Sequence, residues 1–378
     1  MSAFARALSA ELAHLRGCRW DLAMLTLMPA ALLFAMGAML FGGVARELPI
    51  AVVDHDATSA SRAIVRAVDA SPAVRIVSVG GDLPDALTLV RREQAWAIVE
   101  ISRGVGRGVA RGTVPAIHIR YQASFLSTGT QAVRGISSAV TAASTELVAA
   151  QLSAHGLPPL RVTPLTVQVT ALYNAATSFE WYLLSLINPA VLHLLTACVT
   201  VMALGRELRD KSLSAWARAS GGVAGAVFGK MLPYVAAMSL WGVAWLLYLT
   251  LARGWRVEGS IALIVAGQSL FYLGTACISA LLVAVTRETS TGLSASAVYA
   301  GSALAFSGAT LPLDGGSGFA RIASAILPLT HYLALQMGQF VGDAAGSAVG
   351  PILALLAYVA IAGGGAVLLI ARSARSAA

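Results

Sequence analysis

Charged residues are scarce in this chain. Only 12% of its 378 residues are Asp, Glu, Lys or Arg, whereas 57% are hydrophobic. A soluble domain usually carries about 25% charged residues. The chain therefore has too few charges to cover a water-facing surface along its whole length, and most of it must be surrounded by lipid.

The chain also lacks a cluster of basic residues with interleaved aromatic side chains, the pattern typical of a nucleic-acid-binding surface. Its net charge of +8 therefore does not indicate a nucleic-acid partner. Membrane topology explains the positive charge better, because the cytoplasmic loops of membrane proteins carry an excess of Lys and Arg.

Cysteine is almost absent. The chain has three, Cys18, Cys198 and Cys277, which lie beside or inside apolar segments. Neither a disulfide framework nor the CxxC spacing of a metal site can be drawn from them. We interpret all three as small, buried, apolar side chains.

Residue patterns for catalysis or metal binding are missing as well. His331 shares a segment with Asp314 and Asp343, but no second His or Cys lies at metal-ligand spacing from it. No nucleophile occupies a recognisable strand-to-helix elbow. The sequence therefore predicts no enzyme, no metal site and no cofactor.

Residues 224–231 come nearest to a phosphate-binding loop. Ala224 and Met231 stand where that loop needs a Gly and a Ser or Thr. We therefore interpret the segment as the entrance of a membrane span. Lys230, near its end, is interpreted as a lysine that snorkels to the membrane surface.

Long uncharged runs are what the sequence does have. A helix of about 20 apolar residues crosses a hydrocarbon core of about 30 Å. Six such runs predict six membrane spans, at residues 22–44, 182–204, 227–251, 260–286, 291–312 and 350–370. Residues 313–349 are less apolar and are cut by Pro328, which predicts an outer re-entrant or interfacial hairpin rather than a seventh span.

Residues 1–21 precede the first span, and residues 371–378 form a tail after the last. In the first segment apolar residues recur at helical spacing, with polar residues such as Glu11 and His14 between them. This pattern predicts a cytoplasmic amphipathic helix that lies along the membrane surface.

Residues 45–181 have a different character, because charges return and apolar runs shorten. Strands that alternate with helices predict a compact α/β domain, large enough for its own core. The predicted strands are Leu48–Val53, Val74–Val79, Ala95–Ile101, Ala116–Tyr121 and Val162–Leu172, and the predicted helices are Ser59–Asp69, Pro84–Arg92 and Thr128–His155.

Lys and Arg residues near the spans predict the orientation. The short outer loops hold three of them, whereas the opposite side holds eleven: Arg6, Arg16, Arg19, Arg206, Arg209, Lys211, Arg218, Lys230, Arg287, Arg372 and Arg375. Positive charge gathers on the cytoplasmic side of membrane proteins. We therefore predict an α-helical integral membrane protein with six transmembrane helices, N-in and C-in, and an inserted extracytoplasmic α/β domain.

Three polar residues lie within the predicted spans. Asn188 and His193 belong to the second span, and Gln268 belongs to the fourth. Polar groups at membrane depth are costly and often line a transport pathway. Hydrogen bonding between helices is the alternative explanation for each of them.

Residues 205–226 connect the second and third spans. Four basic and two acidic residues lie in Gly205–Ser220, with Leu208, Leu213 and Trp216 among them. A charged, amphipathic segment between two spans is suited to dock on a cytosolic partner. A solvated connector that satisfies the positive-inside rule fits the same composition, so composition alone favours neither.

Several local patterns resemble the ABC-2 family of export permeases, in its variant with a large outer domain after the first span. They are Ala51-Val52-Val53-Asp54 followed by Ser59-Ala60-Ser61-Arg62, then Leu172-Tyr173-Asn174, Arg206-Glu207 with the charged run after it, Gly229-Lys230-Met231-Leu232-Pro233, and Leu327-Pro328-Leu329-Thr330-His331-Tyr332. The resemblance covers nearly the whole chain in order. Arg209 and Ser212-Leu213 stand where the family has Glu and Gly-Thr.

This resemblance implies a non-catalytic permease subunit in the cell (inner) membrane. A separate cytosolic ABC ATPase would bind the coupling segment, at Arg206, Glu207, Arg209, Asp210, Lys211, Leu213 and Trp216. A second permease, identical or related, would complete the pathway, and the outer domain would be the place for a periplasmic adaptor. The few charges within the spans favour export of a hydrophobic or amphipathic compound.

Two other classes remain alternatives at this point. A membrane sensor would bind a ligand with the α/β domain, but such proteins usually carry a cytosolic output domain, and the longest inner segment here is residues 205–226. A membrane enzyme acting on lipids would need an acid–base or metal cluster at an interface, and the sequence shows none.

Overall fold

A computed structural model describes residues 2–42, 46–80, 82–111, 117–122, 126–154, 178–209, 216, 221–310 and 317–376. The chain divides into two compact units. One consists of residues 1–41 and 173–378, and the other of residues 42–172.

The smaller unit contains a four-stranded sheet with helices. The strands are β1 (Leu48–Asp54), β2 (Val74–Gly80), β3 (Ala97–Ile101) and β4 (Ile117–Tyr121), in the order β2-β1-β3-β4. Strand β1 pairs in parallel with β2 and β3, whereas β4 pairs antiparallel to β3. The helices are α4 (Ser59–Asp69), α5 (Leu83–Arg91), α6 (Val105–Ala110) and α7 (Leu126–Ala154).

Strand β1 is central because both of its faces are covered. Ile50 and Val52 pack on one side with Ile136 of α7, whereas Ala51 and Val53 pack on the other with residues of α5. A strand that is buried on both faces has a continuous apolar sequence rather than an alternating one. The predicted helix Ser59–Asp69 is confirmed at both ends, and the predicted strand Val162–Leu172 lies outside the described residues.

The larger unit is helical. Its elements are α1 (Ala3–Gly17), α2 (Arg19–Leu25), α3 (Leu27–Leu40), α8 (Phe179–Arg209), α9 (Val223–Leu247) with a π-helical turn at Tyr248–Ala252, α10 (Ile261–Thr286), α11 (Thr289–Phe306), α12 (Gly318–Ala325), α13 (Pro328–Phe340), a 3₁₀ turn at Ala345–Ala348, and α14 (Val349–Ser376). Helix α10 is central and packs against α8, α9, α11, α13 and α14.

Five stretches of helix are long and apolar enough to cross a membrane: Arg19–Leu40, Phe179–Leu208, Val223–Ala252, Ile261–Thr286 and Ala345–Ala374. Helices α12 and α13 count as a sixth candidate if they are taken together as one broken span. The two helices are bent by 81° at the break before Pro328. The chain is therefore a multi-pass membrane protein, with five or six candidate spans among its described residues.

The predicted fifth span differs from the structure. Helix α11 stands in its place but is not among the candidate spans. It has 18 residues and is therefore only about 27 Å long. Six of these residues are Ser or Thr, which lowers its hydropathy.

The three cysteines also differ from one another. Cys277 is buried in the helical core, as predicted, but Cys18 and Cys198 are partly exposed. Cys18 is the residue between α1 and α2, where an extended backbone (φ −103°, ψ 100°) interrupts the helix.

Candidate functional site

The N-terminal helix α1 packs closely on α9 at two glycines. A Cβ atom on Gly229 would lie 2.6 Å from the Phe4 carbonyl oxygen, and one on Gly225 would lie 2.8 Å from the Phe4 nitrogen. The two backbones approach this closely because neither glycine has a side chain. This contact brings α1 against the N-terminal part of α9.

Replacing Gly229 with Leu is expected to displace α1 from α9. Overpacking of this kind costs about 1–3 kcal/mol of the free energy of unfolding. The midpoint of thermal unfolding in detergent should fall, and α1 should become more sensitive to protease. Gly364→Leu is the matched control, because a Cβ there meets nothing within 4 Å. Equal midpoints for the two variants would contradict the close contact.

Next to this contact lies a buried ion cluster, which we define as Glu11, Asp21, Arg206, Glu207 and Lys230. Lys230 is only 4% exposed and Glu11 only 3% exposed. Lys230 Nζ lies 3.0 Å from Glu11 Oε2 and 2.7 Å from Glu207 Oε1. The guanidinium of Arg206 donates to both Glu11 and Asp21. The cluster therefore connects α1, α2, α8 and α9.

Tyr234 and Trp216 also contact the cluster. The Tyr234 hydroxyl donates to Glu11 Oε1 and accepts from Arg206 Nη2 at 3.4 Å. Lys230 Nζ lies 5.5 Å from the centroid of the Trp216 ring, a cation–π distance. Trp216 belongs to the coupling segment, so that segment contacts the cluster directly.

Glu11 stays ionised within the cluster. Burial alone would raise the pKa of its carboxyl, but Lys230, the Tyr234 hydroxyl and Arg206 together hold that pKa below its ordinary value. A buried carboxylate is tolerated only when it is paired and hydrogen-bonded. Each cation pairs with two of the carboxylates, so the loss of either cation removes an ion-pair partner from Glu11 and from one more carboxylate.

The sequence predictions for these residues need two corrections. Glu11 was expected on the polar face of a surface helix, but it is buried because α1 packs on α9 with that face inward. Lys230 was expected to snorkel, and this interpretation is wrong: its ammonium is satisfied inside the protein by two carboxylates.

The predicted coupling residues are only partly described. Arg206 and Glu207 both make ion pairs with the cluster. Asp210, Lys211 and Leu213, and the side chain of Arg209, lie outside the described residues. Asp21 and Tyr234 were not predicted from the sequence, because nothing near them along the chain indicates a contact with Arg206.

Two of the predicted pathway residues, Asn188 and Gln268, line one small cavity of about 20 Å³. Gln268 Nε2 donates to the Ser239 carbonyl at 2.9 Å and so connects α10 to α9. Asn188 Oδ1 and Trp245 Nε1 have no hydrogen-bond partner among the described residues. The cavity has room for about one water molecule, and an acceptor and a donor line it.

His193 lies apart from that cavity. It is fully buried between Phe271 and Tyr299, and its Nε2 atom is 3.2 Å from the Tyr299 hydroxyl. This contact connects α8 to α11, in line with hydrogen bonding between helices. The structure thus brings Asn188 and Gln268 together and leaves His193 in a separate aromatic cluster.

Two larger cavities are almost wholly apolar. One, of about 670 Å³, lies between α3 and α9 and is lined by Leu33, Phe34, Phe41, Trp241, Trp245 and Tyr248, among others. The other, of about 400 Å³, lies between α2, α3, α8 and α11 and is lined by Met24, Met28, Leu195, Met202, Tyr234 and Leu293, among others. Both volumes are in the range of small-molecule sites.

Comparison with known proteins gives one match. The family model described as "ABC-2 family transporter protein" matches residues 19–369. No curated protein and no solved structure matches the chain. The family match supports a transporter and gives no support to the alternative of a membrane sensor.

Proposed function

The chain belongs to the ABC-2 transporter family, and we propose from this premise that it is the permease subunit of an ATP-driven exporter. Family membership implies a cytosolic ABC ATPase as its partner. In the proposal the chain does not hydrolyse ATP itself. It forms the membrane pathway together with a second permease, identical or related.

The observation that carries the proposal is the connection between the coupling segment and the buried ion cluster. Arg206 and Glu207 begin that segment, and their side chains pair with Glu11, Asp21 and Lys230. In our proposal the ATPase docks on Gly205–Ser220 and moves this segment when it binds ATP. The cluster passes the displacement to α1, α2 and α9, because breaking one ion pair would expose buried charge.

The topology of the proposal places the N- and C-termini in the cytoplasm. The α/β unit then lies outside the cytoplasm, where a periplasmic adaptor would meet it. The excess of Lys and Arg on the cytoplasmic side supports this orientation. The proposed location is the cell (inner) membrane.

The proposed substrate is hydrophobic or amphipathic. The two apolar cavities support this choice, because they lie beside candidate spans and carry few polar groups. The second cavity also contacts Asp21 and Tyr234, next to the buried ion cluster. A compound in that cavity would lie beside the residues that respond to the ATPase.

The test combines affinity capture with transport. The full chain, purified in mild detergent from its own cells, is expected to bring along a nucleotide-binding subunit. In proteoliposomes that complex should hydrolyse ATP faster when amphipathic compounds are added, whereas the chain alone should hydrolyse none. Capture without such a subunit, or hydrolysis by the isolated chain, would overturn the proposal. Hydrolysis that no amphipathic compound stimulates would overturn the substrate class alone.

A further inference from the structure

Three residues with metal-binding side chains meet at the corner between α1 and α2. His14 lies in the last turn of α1, Cys18 separates the two helices, and Asp21 lies in the first turn of α2. One imidazole nitrogen, the thiol sulfur and one carboxylate oxygen all lie within 4.8 Å of one another.

The backbone explains why the three side chains converge. The Cys18 N–H still donates to the His14 carbonyl at 2.9 Å, so the last turn of α1 closes normally. The extended conformation of Cys18 then redirects the chain, and the Leu22 N–H donates back to the Cys18 carbonyl at 3.1 Å. His14 Nε2 consequently lies 2.8 Å from Asp21 Oδ2.

We propose that His14, Cys18 and Asp21 form a binding site for a thiophilic divalent cation of the zinc class, with water as the fourth ligand. Zinc takes sulfur, nitrogen and oxygen ligands at about 2.0–2.3 Å in tetrahedral geometry, which places its ligand atoms about 3.3–3.8 Å apart. The His14 and Asp21 ligand atoms are 2.8 Å apart, and all three ligand atoms lie within 4.8 Å of one another. Small side-chain rotations therefore convert the cluster into a metal site.

Binding changes the protonation of the site. The metal takes Cys18 as a thiolate, so the S–H bond breaks, the proton passes to solvent and a sulfur–metal bond forms. The imidazole of His14 binds in its neutral form. No electron is transferred, and no other reactant is needed.

The site is open to a metal ion in solution. All three side chains are partly exposed, and they lie close to the start of the first candidate span, Arg19–Leu40. Asp21 also accepts from Arg206 through the same Oδ2 atom that contacts His14. A bound cation therefore competes with Arg206 for this carboxylate and acts on the buried ion cluster from outside.

The sequence predicted no metal site, because it has neither a CxxC pair nor a second His or Cys at ligand spacing from His331. One His, one Cys and one Asp at positions 14, 18 and 21 make a weak pattern. In a continuous helix the side chains of these three residues would lie on one side. Here the helix breaks at Cys18, and this break determines the distances between their ligand atoms. Only the structure shows that the break keeps the three atoms together.

Cobalt is the probe for this site, because a thiolate bound to Co²⁺ gives a charge-transfer absorption that a thiol does not. The full chain in detergent is titrated with Co²⁺ and then with Zn²⁺. We expect one equivalent of Co²⁺ to bind with this absorption, and Zn²⁺ to remove it. Cys198→Ser, at the other partly exposed cysteine, should behave like the wild type.

Two variants should lose the signal. Cys18→Ser should abolish the absorption, and His14→Gln should weaken Co²⁺ binding at least about tenfold, the minimum that even outer partners of a metal site contribute. In the wild type Zn²⁺ should also protect Cys18 from alkylation by a maleimide. This protection needs no variant, so it decides the question even if Cys18→Ser or His14→Gln fails to fold.

The proposal is overturned if the wild type shows no thiolate–cobalt absorption or no protection by Zn²⁺. It is also overturned if a folded Cys18→Ser protein keeps the absorption, or if folded His14→Gln protein binds Co²⁺ as tightly as the wild type. None of these measurements depends on transport, so their outcome is separate from that of the proposed function.

Discussion

Lys230→Met is expected to destabilise the protein by about 3–5 kcal/mol, the cost of removing one partner from a buried ion pair. The ammonium of Lys230 lies between Glu11 and Glu207, and no water takes its place readily because the site is almost closed. Met has a similar length and apolar stem, so the variant removes the charge and leaves little cavity. The loss should appear as low abundance of folded protein in the membrane.

The measurement is fluorescence-detected size exclusion after heating in detergent. Arg16→Met is the control: it removes one positive charge from the same region, but Arg16 is exposed on α1. Its thermal midpoint should stay close to that of the wild type. A Lys230→Met/Glu11→Gln double variant should recover part of the loss, because one of the two carboxylates that faced Lys230 is then neutral. If Lys230→Met matched Arg16→Met, the cluster would not stabilise the fold.

The sequence predicted the α/β unit well because its signals are local. The strand at residues 48–54 is a short apolar run, and the following helix begins at the capping box of Thr58 and Ser61. Both features involve neighbours along the chain. Four predicted strands and three predicted helices therefore recur with ends shifted by only a few residues.

The buried ion cluster was not predicted, because its members are far apart along the chain. Glu11 and Arg206 are separated by 195 positions. No residue pattern near either of them along the chain indicates that the two side chains meet. Composition also suggested the wrong environment for Lys230, since a single lysine near the end of a span usually extends its ammonium to the aqueous interface. Only the packing of α1 on Gly225 and Gly229 shows that the charges are enclosed.

The membrane helices were predicted only in part, and five of the predicted six spans correspond to candidate spans among the described residues. Apolar composition locates a helix but does not fix where it breaks. Thr26 interrupts the first span between α2 and α3, although nothing in the apolar run predicts it. Helix α11 is rich in Ser and Ala, and such small residues permit close packing between helices. Its Ser and Thr residues lower its hydropathy.

Arg206→Lys is expected to impair the proposed coupling function of the cluster while changing the stability of the fold only slightly. The guanidinium of Arg206 reaches Glu11 of α1 and Asp21 of α2 at the same time, with two different nitrogen atoms. A lysine keeps the positive charge, but it lacks the planar guanidinium whose two nitrogen atoms donate to Glu11 and Asp21 in a fixed geometry. Lys230 still pairs with Glu11, so α1 stays in place. Asp21 loses its firm connection to α8.

The expected result is folded protein with poor coupling. ATP-driven transport per ATP hydrolysed should fall about 5- to 150-fold, the range of a coupling free energy of about 1–3 kcal/mol. The thermal midpoint should stay much closer to that of the wild type than for Lys230→Met. The assay is transport by the purified complex in proteoliposomes, with hydrolysis measured in the same sample.

Arg372→Lys serves as the matched control, since Arg372 is exposed near the end of α14, and it should transport normally. If Arg206→Lys lost transport only in proportion to lost folded protein, Arg206 would be a purely structural residue. Normal transport per ATP in Arg206→Lys would show that the contact between α8 and α2 does not transmit the displacement caused by the ATPase. Only a loss of transport at nearly constant stability supports the cluster as the route from the ATPase to the membrane helices.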